Sequence, residues 1–531
     1  MTQDSPVRVL ISDELSPAAV TIFRERGIEV VEKTGLKPKE LAAVIGEYDG
    51  LALRSASKVT ADVLAAAKRL KVVGRAGIGV DNIDVKAATA RGICVMNTPF
   101  GNNITTAEHS IAMMMALARH IPEANATTHQ GKWEKSRFVG VELYAKTLGL
   151  IGCGNIGSIV ADRAHGLKMK VIAYDPFLSP ERALDLGVEK VDLDTLLHRA
   201  DFISLHTPLT DQTRNLIDAA ALAKCKPGVR IINCARGGLI VEADLKAALD
   251  SGQVAGAALD VFSTEPATEN ILFGHPGLVC TPHLGASSTE AQLNVAIQVA
   301  EQMSDFLLHG AVTNALNMAS VTVEEAPKLR PYMKLADQLG AFAGQATETG
   351  LRKVTVEYEG HVAGLNTRPL TALILQGLLK PLLAESVNMV NAPLVAKERN
   401  IDLTEVKHER EGDYHTLIRL TVESERWARS IAGTLFADQR PRVVDIKGIK
   451  IDAELGPHML YVTNDDKPGF IGRLGTLLGD NGINIATFAL GRSGQGGDAI
   501  ALVEIDGPMP PALLRQVQEL PQVQQAKALV F

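Results

Sequence analysis

The chain has 531 residues, of which 46% are hydrophobic and 22% charged, and its formal net charge is −7. These proportions are ordinary for a globular protein with enough apolar side chains for several cores, and the length suggests three or four domains. The negative balance argues against a nucleic-acid-binding surface and against an anionic membrane surface. We therefore expect neither nucleic acid nor a membrane among the partners of the chain.

The N-terminal segment and the cysteines favour a cytoplasmic location. The apolar run at residues 7–11 is too short for a signal peptide, and no run approaches the roughly 18 apolar residues that a membrane span requires. The five cysteines have neither C-x-x-C nor metal-ligand spacing; they are Cys94, Cys153, Cys225, Cys234 and Cys280. We expect reduced thiols and no metal site.

Two series of strand-like and helix-like segments fill residues 1–317. In the first, β-branched runs such as VRVLIS, IEVVEK and KVVGRAG alternate with amphipathic segments, and the second begins at KTLGLIGCGNIG and includes KVIAYD, DFISLHTP and VRIINCAR. Such alternation predicts βαβ crossovers and mainly parallel sheets. We predict an α/β fold with two doubly wound parallel-sheet domains. One is discontinuous (1–100 and 288–317), the other spans 101–287, and a cleft lies between them.

Two further units are predicted after residue 317. Residues 318–455 follow a charged linker, VTVEEAP, and mix helix-like segments (KLRPYMKLADQLGAFAGQA, RPLTALILQGLLKPLLA) with strand-like ones (RKVTVEYEG, YHTLIRLTV, RVVDIKGIKI). This mixture predicts an α+β intervening domain, and it contains no catalytic constellation. Residues 456–531 have the order βαββαβ, which predicts a small sheet with two helices on one face.

A glycine motif in the second series predicts a dinucleotide site. Gly152, Gly154 and Gly157 form a G-x-G-x-x-G that follows the strand-like TLGLI and opens a helix-like segment, and Asp175 follows 18 residues after Gly157. The glycines would allow a tight turn, a close approach to the pyrophosphate and helix–strand packing. Asp175 would bind the ribose hydroxyls and repel a 2′-phosphate, which favours NAD over NADP. The alternative is a glycine turn in a fold that binds no nucleotide.

Three later segments carry a further set of polar residues: NCARGGLI contains Arg236, LDVFSTEP contains Glu265, and TPHLGASS contains His283. In this order and behind the glycine motif, they resemble the signature segments of the D-2-hydroxyacid dehydrogenases, and the resemblance covers residues 1–317. It implies that the discontinuous domain binds the substrate, that residues 101–287 bind NAD, and that these three side chains are catalytic.

The chemistry of the three side chains agrees with such a role. Oxidation of a secondary alcohol needs a base for the hydroxyl proton, and histidine, with an ordinary pKa of about 6.5, suits that step. Glu265 beside the ring would hold one tautomer and stabilise the imidazolium, and Arg236 would bind the substrate carboxylate through its planar fork of donors. Each residue also has a structural alternative: a surface ion pair for Arg236, a helix-start acid for Glu265 and a buried, hydrogen-bonded histidine for His283.

The same resemblance implies further contacts with the cofactor, at Asn155, Ile156, Thr207, Cys234, Asp260, Gly285 and Ala286. Thr207 and Cys234 follow strand-like runs, where the carboxyl edge of a parallel sheet meets its ligand. Ile78 departs from the threonine that relatives often carry, so we expect no polar contact with the nicotinamide end from that side chain.

A group of residues at the ends of strand-like runs in the first domain predicts a phosphate site: Arg54, Ser55, Arg75, Gly77 and Asn102. Two arginines exceed what a substrate carboxylate needs when Arg236 is available, so we expect a phosphorylated hydroxy acid. The alternative is that both arginines are structural and pair with acids such as Asp49 or Asp81. The motifs LRSASKVT, GRAGIGVDNID and NTPFGNNITTAEH resemble the phosphoglycerate-oxidising branch of the family. Lys135 and Arg137 in QGKWEKSRFVG would add charge, across a dimer contact.

The C-terminal unit, with HMLYVTNDDKPGFIGRLGTLLGDNGINIATFALGR, resembles an ACT domain, a regulatory module that often binds amino acids. By this resemblance Asp466 and Asn484 are candidate effector contacts, and turn chemistry is the alternative for both. A dehydrogenase with an intervening domain and this tail is similar to the long-form branch that oxidises 3-phospho-D-glycerate to 3-phosphohydroxypyruvate, the first step of L-serine synthesis. It implies L-serine as effector and a homo-oligomer, with a tetramer favoured.

Two other functions remain open at this point. The chain could instead be another dehydrogenase of the same family, with glyoxylate, hydroxypyruvate, lactate or 2-hydroxyglutarate as substrate. All of these substrates need less positive charge at Arg54 and Arg75. A different class of protein with the same scaffold comprises transcriptional co-repressors that use NAD mainly to control assembly. The amino-acid-sensing tail favours metabolism over this last reading.

Overall fold

The computed structural model describes residues 6–322, 324–347, 350–383, 387–409, 412–424, 427–436 and 439–531. Three of the sequence predictions fall partly outside these ranges, namely those on residues 1–5, on Val323 in the linker and on Ala384 at the end of a helix-like segment. Within the ranges, every helix is too short or too polar to cross a bilayer.

The first domain is a five-stranded parallel sheet with the strand order β2-β1-β3-β4-β5. Its strands are β1 (Arg8–Ile11), β2 (Glu29–Glu32), β3 (Gly50–Leu53), β4 (Val72–Arg75) and β5 (Cys94–Met96). Its helices are α1 (Pro17–Glu25), α2 (Pro38–Val44), α3 (Ala61–Ala66) and α4 (Val85–Ala90), with a 3-10 turn at Ile45–Glu47. Strand β3 is buried throughout, as expected for a parallel strand covered on both faces.

The second domain is a seven-stranded parallel sheet with the order β12-β11-β10-β9-β6-β7-β8. Its strands are β6 (Thr147–Ile151), β7 (Lys170–Tyr174), β8 (Glu189–Lys190), β9 (Phe202–Leu205), β10 (Val229–Asn233), β11 (Val254–Leu259) and β12 (Leu278–Cys280). Its helices are α5 (Asn103–Ala118), α6 (Ile121–His129), α7 (Asn155–Gly166), α8 (Pro180–Asp185), α9 (Leu193–Arg199), α10 (Ala219–Lys224) and α11 (Glu242–Asp250). The chain runs from β6 to one side and returns to β9 on the other, so a topological switch point lies at the carboxyl end of β6.

Helix α12 (Thr289–His309) returns the chain to the first domain. Its Val295, Val299 and Met303 share a core with β1, β4 and β5. A Cβ at Gly74 in β4 would overlap the side chain of Met303, so this close approach of helix to strand requires glycine. The first sheet is therefore completed by a helix from beyond the second one.

The third domain is a six-stranded mixed sheet, β14-β13-β15-β16-β17-β18; among its described residues, β13 and β14 form the only parallel pair. Its strands are β13 (Leu351–Gly360), β14 (Asp402–His408), β15 (Thr416–Ser424), β16 (Ala428–Leu435), β17 (Pro441–Ile446) and β18 (Ile449–Ala453). Its helices are α13 (Ala326–Ala346), α14 (Arg368–Leu379) and α15 (Ala392–Glu398), with a 3-10 turn at His361–Gly364.

The last domain has the βαββαβ order and the antiparallel sheet order β20-β21-β19-β22. Its elements are β19 (His458–Asp465), α16 (Phe470–Asp480), β20 (Ile485–Arg492), β21 (Asp498–Ile505), α17 (Pro511–Gln518) and β22 (Val523–Val530). Both helices pack on one face, with Leu474 and Val517 against Val462. The other face, with Tyr461 and Leu502, shares a core with Phe342 of α13.

The predicted fold class is confirmed, and three strands add to it. Strand β8 has two exposed residues, and β14 is an almost wholly exposed edge strand. Strand β16 has the sequence ARSIAGTL, in which small residues replace the β-branched runs that indicate a strand. Each of the three lacks the apolar alternation on which strand prediction depends.

Candidate active site

The glycine loop after β6 has the geometry of a diphosphate cradle. Gly152 has φ of 94°, and a Cβ there would lie 2.6 Å from the carbonyl oxygen of His206, while a Cβ at Gly157 would overlap the carbonyl of Gly152. A Cβ at Gly154 would meet nothing within 4 Å, which leaves open space above the loop. Gly154 is also the N-cap of α7 and no side chain caps it, so the first N–H groups of the helix are available to an anion.

Asp175 lies beside this loop, directly after β7. Its carboxylate accepts hydrogen bonds from the backbone N–H of Cys153 and of Phe177, both at 2.8 Å. A carboxylate has about four acceptor sites, so two remain for a pair of vicinal hydroxyls. The open cradle, the uncapped helix and the fixed carboxylate therefore fit the pyrophosphate and adenosine ribose of NAD.

The other predicted cofactor residues surround the same edge of the sheet. Asn155 and Ile156 form the first turn of α7, and the backbone N of Thr207 would lie 3.1 Å from a Cβ at Gly152. Gly285, followed by Ala286, lies against the carbonyl of Cys234. Burial raises the pKa of the Cys234 thiol to about 12, so this cysteine stays a neutral thiol.

His283 and Glu265 form a short hydrogen bond. His283 Nδ1 lies 2.6 Å from Glu265 Oε2, and Glu265 Oε1 accepts a hydrogen bond of 3.0 Å from the N–H of Phe262. Burial opposes ionisation of Glu265, but the hydrogen bonds from His283 and Phe262 outweigh it and lower its pKa. The ionised carboxylate thus accepts a hydrogen bond from the Nδ1–H group of His283. The His283 side chain is 49% exposed, which leaves Nε2 reachable from the cleft.

Asp260 holds the loop that carries His283. Its fully buried carboxylate accepts hydrogen bonds from the Thr281 hydroxyl (2.6 Å) and from the N–H groups of Leu284 (2.7 Å) and Gly285 (2.8 Å). Burial opposes ionisation of Asp260, and the hydrogen bonds from His109, Thr281 and Leu284 lower its pKa in spite of it. His109, on α5, was not predicted. Its only signal in the sequence is that it is the last residue of the motif NTPFGNNITTAEH.

Two arginines from different domains meet above a pair of glycines. Arg236 Nε donates to Asp81 Oδ2 at 3.0 Å, and a Cβ at Gly79 would overlap the Arg236 guanidinium. Gly77, at φ of 141°, is similarly covered by the Arg75 guanidinium. Glycine at both positions therefore makes room for the two guanidiniums over the loop after β4.

Arg75 is largely buried, and it forms no ion pair with any acid that the structure describes. Its Nε is buried without a hydrogen bond, and burial together with the neighbouring charges of Arg236 and Arg54 lowers its pKa to about 10. In the described part of the chain, the two acids offered as alternative partners are engaged elsewhere, Asp49 with Arg69 and Lys71 and Asp81 with Arg236. Three guanidiniums with two carboxylates near them, those of Asp81 and Asp13, leave a local excess of positive charge that suits a polyanionic ligand.

Hydrogen bonds with Asp13 and Asn82 fix the backbone of the loop that contains Arg54 and Ser55. Asp13 accepts hydrogen bonds from the N–H of Arg54 (2.7 Å) and from the Ser57 hydroxyl (2.6 Å). Asn82 Nδ2 donates to the carbonyls of Arg54 and Ser57, both at 2.7 Å. Ser55 is exposed at the top of this loop. Asp13 and Asn82 were not predicted, because each acts on the backbone of residues distant in sequence.

Asn102, directly before α5, is 7% exposed. Its Oδ1 is buried and accepts no hydrogen bond, and its side chain does not cap the helix. A buried amide oxygen without a donor costs about 1–3 kcal/mol, so the position favours a ligand hydroxyl or amine as partner.

The two predicted effector residues have local partners. Asp466 Oδ2 accepts hydrogen bonds from the N–H of Gly496 (3.1 Å) and from Arg492 Nη1 (3.0 Å), and these lower its pKa. Asn484 is exposed and donates through Nδ2 to Asp506 Oδ2 at 2.8 Å. These bonds agree with turn chemistry, and a contact with an effector stays a prediction for both residues.

Three family models match the chain. They are "D-isomer specific 2-hydroxyacid dehydrogenase, NAD binding domain" over residues 111–285, "D-3-phosphoglycerate dehydrogenase intervening domain" over 328–447 and "ACT domain" over 458–522. Together they cover the second sheet, the third sheet except β18 and the fourth sheet except β22.

Curated relatives are similar over nearly the whole length. The D-3-phosphoglycerate dehydrogenase of Synechocystis sp. is 45% identical over 520 residues, which cover 98% of this chain and 94% of the relative. That of Bacillus subtilis is 42% identical over 523 residues, covering 98% and 99%. Among solved structures, the TT0316 protein of Thermus thermophilus is 34% identical with a TM-score of 0.54, and covers 58% of this chain and 100% of its own. The NAD⁺-bound 3-phosphoglycerate dehydrogenase of Entamoeba histolytica is 30% identical with a TM-score of 0.51, covering 59% and 99%.

Proposed function

The chain belongs to the D-3-phosphoglycerate dehydrogenases, within the D-isomer-specific 2-hydroxyacid dehydrogenase family, and from this premise we propose that it oxidises 3-phospho-D-glycerate to 3-phosphohydroxypyruvate with NAD, as the first step of L-serine synthesis. One observation carries the choice of substrate. Arg75 is buried next to Arg54 and Arg236, and its Nε has no partner. A substrate with a carboxylate and a phosphate supplies the missing negative charge, because the phosphate group alone carries a charge of about −1.5 to −2 near neutral pH.

The substrate is held at both ends by the first domain and by Arg236. Arg54 and Arg75 bind the phosphate, with Ser55 as a further donor, and Asn102 Oδ1 accepts a hydrogen bond from a hydroxyl group of the substrate. The loop with Gly77 and the planar fork of Arg236 bind the carboxylate, and Arg236 also reaches the oxygen on C2. Binding at both ends fixes the C2 hydroxyl next to His283 and so reduces the entropy cost of the reaction.

Proton transfer follows from the His283–Glu265 pair. With its Nδ1 proton held by Glu265, His283 takes the C2 hydroxyl proton at Nε2, and the carboxylate stabilises the imidazolium that results. When bound, NAD supplies the acceptor for the C2 hydride. Asp260 keeps the 281–285 loop in place during this step through its bonds to Leu284 and Gly285.

The first test is NADH formation at 340 nm with 3-phosphoglycerate, D-glycerate, D-lactate and 2-hydroxyglutarate. We expect the highest kcat/KM with 3-phosphoglycerate and its loss in His283→Ala. A preference for an unphosphorylated acid would overturn the phosphate role of Arg54 and Arg75 and leave a dehydrogenase of other specificity. Bound NAD without turnover of any acid would favour the co-repressor reading instead.

L-serine is the effector that we propose for the ACT domain, with Asp466 and Asn484 as its contacts, because an amino acid carries an ammonium group that an acid such as Asp466 attracts. Addition of L-serine to the assay tests this proposal, since an effector at the ACT domain lowers the rate without competing with NAD. An unchanged rate at millimolar L-serine, together with no heat of binding, would refute it.

We also propose a cytoplasmic homo-oligomer, a tetramer as the family resemblance implies. The second domain exposes several large apolar side chains along α6 and the loop that follows it; they are Ile121, Trp133, Val139 and Tyr144. An apolar surface of this kind supports contact with a second copy. Arg137, in the same loop, pairs with Glu123 and Glu134 of its own chain.

A further inference from the structure

Asn97 lies directly after β5. It connects the loop after β4 with helix α12, two segments that are far apart in sequence. It is 7% exposed, and its Nδ2 donates a hydrogen bond of 2.6 Å to the carbonyl of Ile78. That carbonyl belongs to the loop after β4, over which Arg75 and Arg236 lie. A buried amide that holds the backbone of a ligand-binding loop fixes the position of the loop without touching the ligand.

The backbone of Asn97 is itself fixed by a ring of hydrogen bonds. Its carbonyl accepts from Gln302 Nε2 at 2.8 Å, and its N–H donates to the carbonyl of Asn314 at 3.2 Å. Asn314 Nδ2 then donates to Gln302 Oε1 at 3.2 Å, which closes the ring. Gln302 is buried on α12, the helix that follows the loop with His283.

Thr98 completes the support of the same loop. Its hydroxyl accepts a bond of 2.7 Å from the N–H of Gly77, and its own N–H donates to the Gly77 carbonyl at 3.1 Å. The N–H groups of Ile78 and Gly79 have no acceptor in the described part of the chain. Two successive N–H groups beside two guanidiniums form a concave site for a small anion.

We infer that Asn97 is a positioning residue for the substrate carboxylate. It fixes the position of the loop of Gly77, Ile78 and Gly79 relative to α12. The free N–H groups of Ile78 and Gly79 can then bind the carboxylate together with Arg236. The inference rests on the proposed function only in needing a 2-hydroxy acid as substrate. It distinguishes the carboxylate end of the site, held by Asn97, from the phosphate end, held by Asn82 under Arg54.

The test compares Asn97→Ala and Asn97→Asp with a matched control, Asn317→Ala. The aspartate keeps the size of the side chain, but its ionised carboxylate donates no bond to Ile78. Asn317 forms hydrogen bonds with the backbone near the start of β5. Its Oδ1 accepts one from the N–H of Val95 and its Nδ2 donates one to the carbonyl of Ile93, both at 2.9 Å. Its loss should lower the melting temperature without changing the site.

We expect KM for 3-phosphoglycerate to rise about tenfold or more in both Asn97 variants, with KM for NAD within twofold of wild type. The rise should be the same factor for D-glycerate, because both acids have the carboxylate. Asn82→Ala should raise KM for 3-phosphoglycerate and leave that for D-glycerate nearly unchanged. A rise in KM in the Asn97 variants alone would show a role in positioning. A general loss of stability would instead raise KM in Asn317→Ala as well.

An unchanged KM in both Asn97 variants, or an equal rise in Asn317→Ala, would overturn the inference. If wild type oxidises D-glycerate and not 3-phosphoglycerate, the proposed substrate fails and the Asn97 comparison is read on D-glycerate. The Kd of hydroxypyruvate in the presence of NADH, measured by calorimetry, compares each variant with wild type without turnover. It should rise about tenfold in Asn97→Asp and stay constant in Asn317→Ala.

Discussion

His283 Nδ1 lies 2.6 Å from Glu265 Oε2, and the other oxygen of the same carboxylate is held by the N–H of Phe262. Both carboxylate oxygens are thus engaged, which fixes the plane of the imidazole as well as its tautomer. The pair joins two loops of the second domain, one after β11 and one after β12. The direction in which His283 presents Nε2 is therefore set by the fold before any ligand arrives.

Replacement of Glu265 by glutamine should impair chemistry more than binding. The neutral amide stabilises no imidazolium, so we expect Glu265→Gln to lower kcat about 100-fold or more and to leave KM for NAD nearly unchanged. Steady-state NADH formation measures both. Glu189→Gln is the matched control, because Glu189 forms an exposed ion pair with Arg199 in the same domain, away from the loop that carries Glu265. A loss of similar size in the control would contradict the role of Glu265.

Asp260 should make the second domain sensitive to acid. Because its pKa is lowered in the folded chain, its ionised form stabilises the fold above the ordinary pKa of about 3.9, and this contribution is lost as the pH falls through the lowered value. We expect Asp260→Asn to reduce the free energy of unfolding by about 1–3 kcal/mol at pH 7.

The difference between Asp260→Asn and wild type should begin to shrink as the pH falls below about 4, where the carboxylate of the unfolded chain takes up a proton, and should vanish below the lowered pKa of the folded chain. Thermal unfolding at a series of pH values measures it. Asp250→Asn, which removes an exposed pair with Lys246, serves as control and should change the melting temperature little. A constant difference at all pH values would show that ionisation of Asp260 contributes nothing.

Arg75→Gln should discriminate between phosphorylated and unphosphorylated acids. Hydrogen bonds to charged groups contribute about 1.5–3 kcal/mol, which corresponds to a rise of about 10- to 100-fold in KM for 3-phosphoglycerate. KM for D-glycerate should change far less. Arg69→Gln, which removes the partner of Asp49 in the same domain, is the control. Equal effects on both acids would place Arg75 at the carboxylate rather than at the phosphate.

Asp175→Ala should weaken the preference for NAD. Removal of the carboxylate takes away the acceptor for the ribose hydroxyls and the repulsion of a 2′-phosphate. We expect kcat/KM to fall at least tenfold with NAD and the ratio of NAD to NADP activity to decrease. Asp185→Asn, exposed on α8, should leave that ratio unchanged. A ratio that stays constant in Asp175→Ala would show that selectivity lies elsewhere.

Trp133→Glu should lower the oligomeric state if the chain assembles as we propose. The Trp133 side chain is 87% exposed, and a charge at this position is expensive to bury against a second copy. Light scattering after gel filtration should give a smaller mass for this variant. Leu184→Glu, at a similarly exposed apolar position on α8, is the control and should keep the wild-type mass. An unchanged mass for Trp133→Glu would show that Trp133 does not lie in an interface between copies of the chain.

Sequence reasoning predicted the fold class because the parallel strands are buried runs between amphipathic helices. The glycine motif could be interpreted since its partners, the strand before it and the helix after it, lie next to it in the chain. Strand β14 was missed for the opposite reason: it is an exposed edge, and its pairing with β13 depends on residues about 50 positions away.

The residues that support the site were less accessible to sequence reasoning than those that form it. Arg236, Glu265 and His283 belong to motifs, whereas Asp13, Asn97 and Gln302 act on backbone groups distant in sequence. An asparagine after a strand is ordinary turn chemistry until its partner is known. Only the folded chain shows which carbonyl each amide holds.

The shared core of the last two domains has a consequence for how the chain can be divided. Tyr461 packs edge-on against Phe342 at 5.1 Å between ring centres, within one apolar cluster that spans both sheets. A chain ending at residue 455 would leave that face of α13 bare, so the natural cut for an isolated catalytic half lies before α13. We therefore expect the last two domains to be stable only together, so that a truncated chain should lack both of them or neither.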